Sequence, residues 1–172
     1  MRALAVILSG ILLGFTAAAQ QPKPLRRAPG FSLPDTRQKQ HDLADYRGRW
    51  VLLDFMRTDC PHCKELSPLL EAAAKRYGEK VAVLSIVVPP DTTQTVAAFI
   101  AENKITTPIL FDCGQVTYSY LLPSPANPSV EFPHLFVIDP KGFIARDLHG
   151  ATLQPARLNA ELEALIGAPG RK

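Results

Sequence analysis

The sequence predicts an α/β domain built on a mixed central sheet, with helices on both faces and an N-terminal strand extension. Three patterns predict it. Apolar runs of strand length at 51–55 and 81–88 alternate with stretches whose apolar residues recur every three or four positions. A hairpin pattern follows over residues 135–148, with Pro140-Lys141-Gly142 at its turn. An amphipathic stretch carrying Leu158, Leu162, Leu165 and Ile166 then closes the chain. Strand–helix alternation gives parallel neighbours and a hairpin gives antiparallel ones, so the sheet is mixed.

Each element has its own signal. Residues 29–35 alternate apolar and polar side chains before a turn, as a short edge strand does. His41, Leu43 and the 46–48 segment follow as turn and loop. Residues 51–55 are apolar except for Asp54 and suit a central strand, with Trp50 entering the core at its start. In the helix from Lys64 to Tyr77, Leu66, Leu69, Leu70, Ala73 and Tyr77 share one face. Pro68, which has no N–H, kinks that helix, and Gly78 stops it. The strand at 81–88 is closed by Pro89-Pro90, and Thr92 or Thr93 caps a helix with Val96, Phe99 and Ile100 on its buried face. A short strand at 109–111, a short helix at 116–122 and a loop at 123–129 precede Phe132, Pro133 and the strand at 135–139.

At 172 residues the chain supplies one domain with a core of its own. That domain is placed at 28–168, after a signal peptide at 1–19 and a linker at 20–27, with a tail at 169–172. The signal reading rests on a positive start at Arg2, an apolar run at 3–15 and the small residues Ala17, Ala18 and Ala19. The run of about thirteen residues is shorter than the ~18 that a membrane span needs. An exported, bacterial periplasmic protein with no membrane span after signal cleavage is therefore expected. A formal charge of +3 is too small to argue for nucleic acid, and Lys23, Arg26 and Arg27 read as a solvated tether. A mature length close to one fold favours a monomer.

The chemistry concentrates at Cys60-Pro61-His62-Cys63, between the strand at 51–55 and the helix that follows. Unpaired N–H groups and the helix dipole favour a thiolate at the first cysteine. Thiolates attack disulfides far faster than thiols do, so Cys60 is the candidate nucleophile and Cys63 its resolving partner. In an exported protein such a pair oxidises readily, yet a loop this small gains little stability from a crosslink. A redox role therefore explains the pair better than a structural one. Cys113 is left over, expected as a half-buried, inert thiol.

With these motifs in place, the chain resembles the thioredoxin fold, and more closely the exported thiol–disulfide oxidoreductases of the TlpA/ResA-like group within the redoxin superfamily. The resemblance runs from about residue 28 to 166, through the opening at 28–35, the segments 43–48 and 51–55 before the cysteines, and the hairpin at 136–144. It implies that Asp54, six residues before Cys60, is a buried carboxylate that accepts the Cys63 proton. It implies that Pro133 is a cis-proline facing Cys60, leaving backbone groups of Phe132 free to pair with an extended substrate. It also implies a protein thiol or disulfide substrate, a redox-recycling protein partner, and no cofactor beyond the Cys60–Cys63 disulfide. Pro68 matches the family's kinked active-site helix.

Four residues depart from the family pattern or tune it. Asp59 stands where most relatives place Trp, and its charge disfavours a Cys60 thiolate if the side chain approaches the sulfur. Pro61 and His62 form the dipeptide of the strongly oxidising DsbA, and an imidazole beside Cys60 pulls the other way. Phe132 is bulkier than the usual residue before the cis-proline. His134 stands near the same groove, with a satisfied histidine as its default reading, and His41 and His149 are assigned no role.

Two rival chemistries share the fold. A thiol peroxidase would use Cys60 as peroxidatic thiol, with a threonine three residues earlier; Arg57 occupies that place and Thr58 is one position late. A Cu(I) metallochaperone would use Cys60, Cys63, Met56 and His62 or His134 as ligands, although related copper proteins separate their cysteines by three residues. No metal is assigned.

Overall fold

The structure, a computed structural model, describes residues 26–126 and 128–167. The signal peptide at 1–19, the linker up to residue 25 and the tail at 169–172 lie outside the described residues. Six strands form the main sheet: β1 (Arg26–Arg27), β4 (Trp50–Met56), β5 (Val81–Val87), β6 (Ile109–Phe111), β7 (His134–Ile138) and β8 (Phe143–His149). Their order is β1-β8-β7-β4-β5-β6. β4, β5 and β6 are parallel, while β7 and β8 run antiparallel as the hairpin pattern predicts. Two further strands, β2 (Ser32–Pro34) and β3 (Gln40–Asp42), pair as a small separate ribbon.

Among the described residues, four α-helices accompany the sheet: α1 (Pro61–Tyr77), α2 (Thr93–Asn103), α3 (Gln115–Leu121) and α4 (Pro155–Ile166). α1 starts three residues before the expected Lys64, because Pro61 occupies the first turn, where a missing N–H costs nothing. It continues through Pro68 and ends at Gly78, whose φ of 56° favours glycine. Thr92 caps α2 through a reciprocal pair of bonds with Thr95.

Alternation along β4 divides the core. Val51, Leu53 and Phe55 face Phe31, Tyr120 and Phe136, while Leu52 faces Leu66 and Leu70 of α1 and Leu158 and Leu162 of α4. Phe55, Tyr120 and Phe136 pack with ring centroids 5.3 to 5.9 Å apart, and the Tyr120 hydroxyl donates to the Pro29 carbonyl at 2.7 Å. The opening segment is thereby fastened to the sheet. At the carboxyl end of β4, Met56 joins Cys63, Val87, Val96 and Phe99 in a third apolar cluster.

Four expectations are corrected. Arg26 and Arg27 do not end a linker: they form β1, paired with Ile144 and Phe143, and Arg27 lies over the Phe143 ring. His41 is buried in β3, between Asp35 at 3.1 Å and the Tyr46 hydroxyl at 2.5 Å. Cys113 is exposed, because Asp112 turns inward instead, to accept N–H bonds from Val116 and Thr117 at the start of α3. Trp50 is half-buried at the edge of the core rather than within it.

Candidate active site

Cys60 is the N-cap of α1, with extended backbone torsions. Its sulfur accepts the Cys63 N–H at 3.3 Å, and its thiol faces the Phe132 carbonyl at 3.6 Å. The Phe132–Pro133 bond is cis, as expected, and brings that carbonyl to the sulfur. Cys60 is partly accessible, whereas Cys63 is fully buried among Met56, Val87, Val96 and Phe99. Both are free thiols. Burial, and then hydrogen bonding to Cys60, push the Cys63 thiol well above its ordinary range. One sulfur is thus presented to a partner, and the other is protected and needs a base.

Asp54 is the buried acid whose charge reaches that thiol. It lies in β4, opposite Ser85 of β5 and Leu135 of β7, on the same strand face as Leu52 and Met56, beneath α1. It is fully buried; one carboxylate oxygen accepts from the Ser85 hydroxyl at 3.4 Å and the other has no hydrogen-bond partner among the described residues. Burial raises its pKa from 3.8 to about 7. Its charge is felt at Cys63, where it disfavours a thiolate. Near neutral pH the carboxylate can therefore hold or release a proton within electrostatic reach of the buried thiol.

The flanking residues are placed differently from the sequence expectation. Asp59 gives both oxygens to the Arg57 guanidinium, at 2.9 and 2.7 Å. That carboxylate, with smaller contributions from Asp91 and an ionised Cys60, holds Arg57 more firmly in its charged form. His62 is exposed, with Nδ1 directed to Glu65 at 3.2 Å rather than to Cys60. His134 bonds Asp147 at 2.6 Å and stacks on His149, lining a neighbouring smaller recess. Among the described residues, no three His, Cys, Asp or Glu side chains converge as metal ligands.

Two supporting residues escaped the sequence reading. Asp91, just after Pro90, accepts the Thr58 N–H at 3.1 Å, the Thr58 hydroxyl, and the Thr95 hydroxyl at 3.0 Å. It ties the loop before Cys60 to the start of α2, and nothing in its local sequence announces this. Ser85 had a signal: it is the polar residue in an otherwise apolar strand. Beside Cys60 a groove of about 530 Å³ opens, lined by Leu66, Phe132, Pro133 and Leu153, with Glu65 and Glu131 among its polar residues.

A thioredoxin-fold sheet carrying a CxxC dithiol at a helix N-terminus, with a cis-proline facing it, defines a thiol–disulfide oxidoreductase. The AhpC/TSA family model matches residues 24–146, and the chain belongs to that family. It is 29% identical over 140 residues to the thioredoxin-like protein YneN of Bacillus subtilis, covering 80% of this chain and 78% of that one. It is 24% identical over 152 residues to the thiol-disulfide oxidoreductase ResA of Bacillus cereus, covering 84% and 83%. Among solved structures, a thiol:disulfide interchange protein of the thioredoxin family from Chlorobium tepidum superposes with a TM-score of 0.68 at 19% identity, over 84% of this chain and 98% of that one.

Proposed function

We propose that this thiol–disulfide oxidoreductase works outside the cytoplasm, in the bacterial periplasm, exchanging disulfides with protein substrates through Cys60 and Cys63. One observation carries the reading: an accessible sulfur capping α1, 3.6 Å from the Phe132 carbonyl, stands before a buried thiol served by a buried carboxylate. The Cys60 thiolate attacks a substrate disulfide, forming a mixed disulfide and releasing one substrate thiolate. Asp54 takes the proton from Cys63, whose sulfur attacks Cys60 and releases the second substrate thiolate. The substrate gains two electrons and the protein is left with the Cys60–Cys63 disulfide. Oxidation of a substrate runs the same steps backwards.

The backbone of Phe132, next to Pro133, supports pairing with an extended substrate segment. Pro61, His62 and Asp59 tune the couple, with Asp59 acting through Arg57. The cysteines carry the electrons, so no cofactor is needed, and a protein partner resets them. Export rests on the 1–19 segment, and the protein works as a monomer. N-terminal sequencing of the periplasmic protein should begin at Gln20.

The test is the reduction potential of the dithiol, read by trapping free thiols in graded glutathione buffers. A value near about −270 mV assigns a reductant, and one near about −120 mV a disulfide donor. A protein that does not cycle between dithiol and disulfide overturns the reading.

A further inference from the structure

We propose that the groove beside Cys60 selects substrate segments carrying a lysine or arginine close to the reacting cysteine, next to an apolar residue. This rests on the oxidoreductase reading and adds the substrate class. The apolar part of the groove comes from Leu66, Phe132, Pro133 and Leu153. Its charged side chains are Glu65 and Glu131, which are 76% and 70% exposed. No lysine or arginine lines it among the described residues, although the chain as a whole carries a formal charge of +3 with its histidines neutral. The groove thus runs against the charge balance of the protein around it.

The two carboxylates lie on the two chain segments that meet at the reacting sulfur. Glu131 directly precedes Phe132, whose carbonyl faces the Cys60 thiol. Glu65 follows Cys60 by five residues on α1, roughly 7.5 Å along the helix axis. An extended substrate advances about 3.3 Å per residue, so a basic side chain about two positions from its cysteine comes level with Glu65. His62 at 3.2 Å from Glu65 and His149 at 3.4 Å from Glu131 orient these carboxylates.

The experiment uses the reduced full domain and a set of single-cysteine peptides. Each is presented as its mixed disulfide with mercaptoethanol and has leucine beside the cysteine and Lys, Gln or Glu two positions away. Exchange rates are followed at low and high ionic strength, with 2-hydroxyethyl disulfide as an uncharged small substrate. The Lys peptide should react about threefold to tenfold faster than the Glu peptide at low salt, the scale of exposed charge pairs. The ratio should fall below about twofold near 1 M salt, where screening acts within about 3 Å. The E65Q/E131Q variant should level the peptide series.

Equal rates for the three peptides overturn the inference, as does a preference that survives E65Q/E131Q. If the double variant does not fold, the salt dependence of the unmodified protein still decides. Exchange with 2-hydroxyethyl disulfide alongside equal peptide rates leaves the oxidoreductase reading standing. Failure with every disulfide overturns both.

Discussion

Replacing Asp54 with Asn is the most direct probe of the site, because it removes one ionisable proton and little volume. A pKa raised from 3.8 to about 7 means that ionising the buried carboxylate costs on the order of 4 kcal/mol, at about 1.4 kcal/mol per pH unit. The folded protein keeps the Asp54 proton while the unfolded chain has released it, so stability falls as pH rises through this window. Below pH 3.8 both states are protonated and the penalty is absent; above about 7 it is complete. Asn is never charged. The difference in stability between D54N and the parent should shift towards Asn by about 1.4 kcal/mol per pH unit between pH 4 and 7, then level off. At pH 4 the variant should be roughly equal or about 1–2 kcal/mol less stable, because an amide has an unpartnered group to bury beside Ser85.

Urea unfolding of the dithiol form at four pH values between 4 and 8.5 measures this difference. A companion assay follows resolution of a Cys60 mixed disulfide. In the parent its rate should rise with pH through about 7, as Asp54 ionises and can take the Cys63 proton. In D54N the rate should drop by about 10²–10⁴, the range of general-base effects, and lose that rise. Stability profiles that run parallel from pH 4 to 8.5 would refute the assignment of a titrating Asp54, whatever the kinetics showed.

Three further outcomes are expected. D59N frees the Arg57 guanidinium from its bidentate partner, leaving a cation near Cys60, and should raise the reduction potential by about 5–20 mV in glutathione equilibration. E71A removes the acceptor of two N–H and two hydroxyl bonds from Thr106 and Thr107 and should cost about 2–4 kcal/mol in urea unfolding at pH 7. Burial opposes the Glu71 charge, but these bonds prevail and lower its pKa below 4.5, so its contribution is full above that value and lost as acid passes through the lowered one. C113S, at an exposed position, should change stability by less than about 0.5 kcal/mol and leave the potential of Cys60 and Cys63 unmoved.

The sheet was legible because its signals are local. The apolar run of β4, the Pro-Pro stop after β5 and the turn at Gly142 each mark an element without reference to the rest of the chain. The edges were less so. β1 is two residues long and exists because its backbone and Arg27 meet β8, far away in sequence. His41 sits among polar neighbours, and only pairing of β2 with β3 and closure of Tyr46 over it create its buried setting. Cys113 follows an apolar triplet, yet Asp112 claims the inward position through bonds to the start of α3.

The same division runs through the site. Cys60, Cys63, Asp54 and Pro133 were found by spacing and resemblance, and the fold brings them together. Asp59 and His62, expected to pull Cys60 in opposite directions, each have a partner close by: Arg57 two residues before the one, Glu65 three residues after the other. The His62–Glu65 pair was visible from its spacing, since i,i+3 neighbours on a helix face each other, and Arg57 and Asp59 are opposite charges two residues apart in the turn before α1. With Asp59 tied to Arg57 and His62 turned to Glu65, the direct hydrogen-bond contacts of the Cys60 sulfur are the Cys63 N–H and the Phe132 carbonyl. The sulfur accepts from the first, and its thiol donates to the second. A substrate strand pairing with the Phe132 backbone would compete with the Cys60 thiol for that carbonyl.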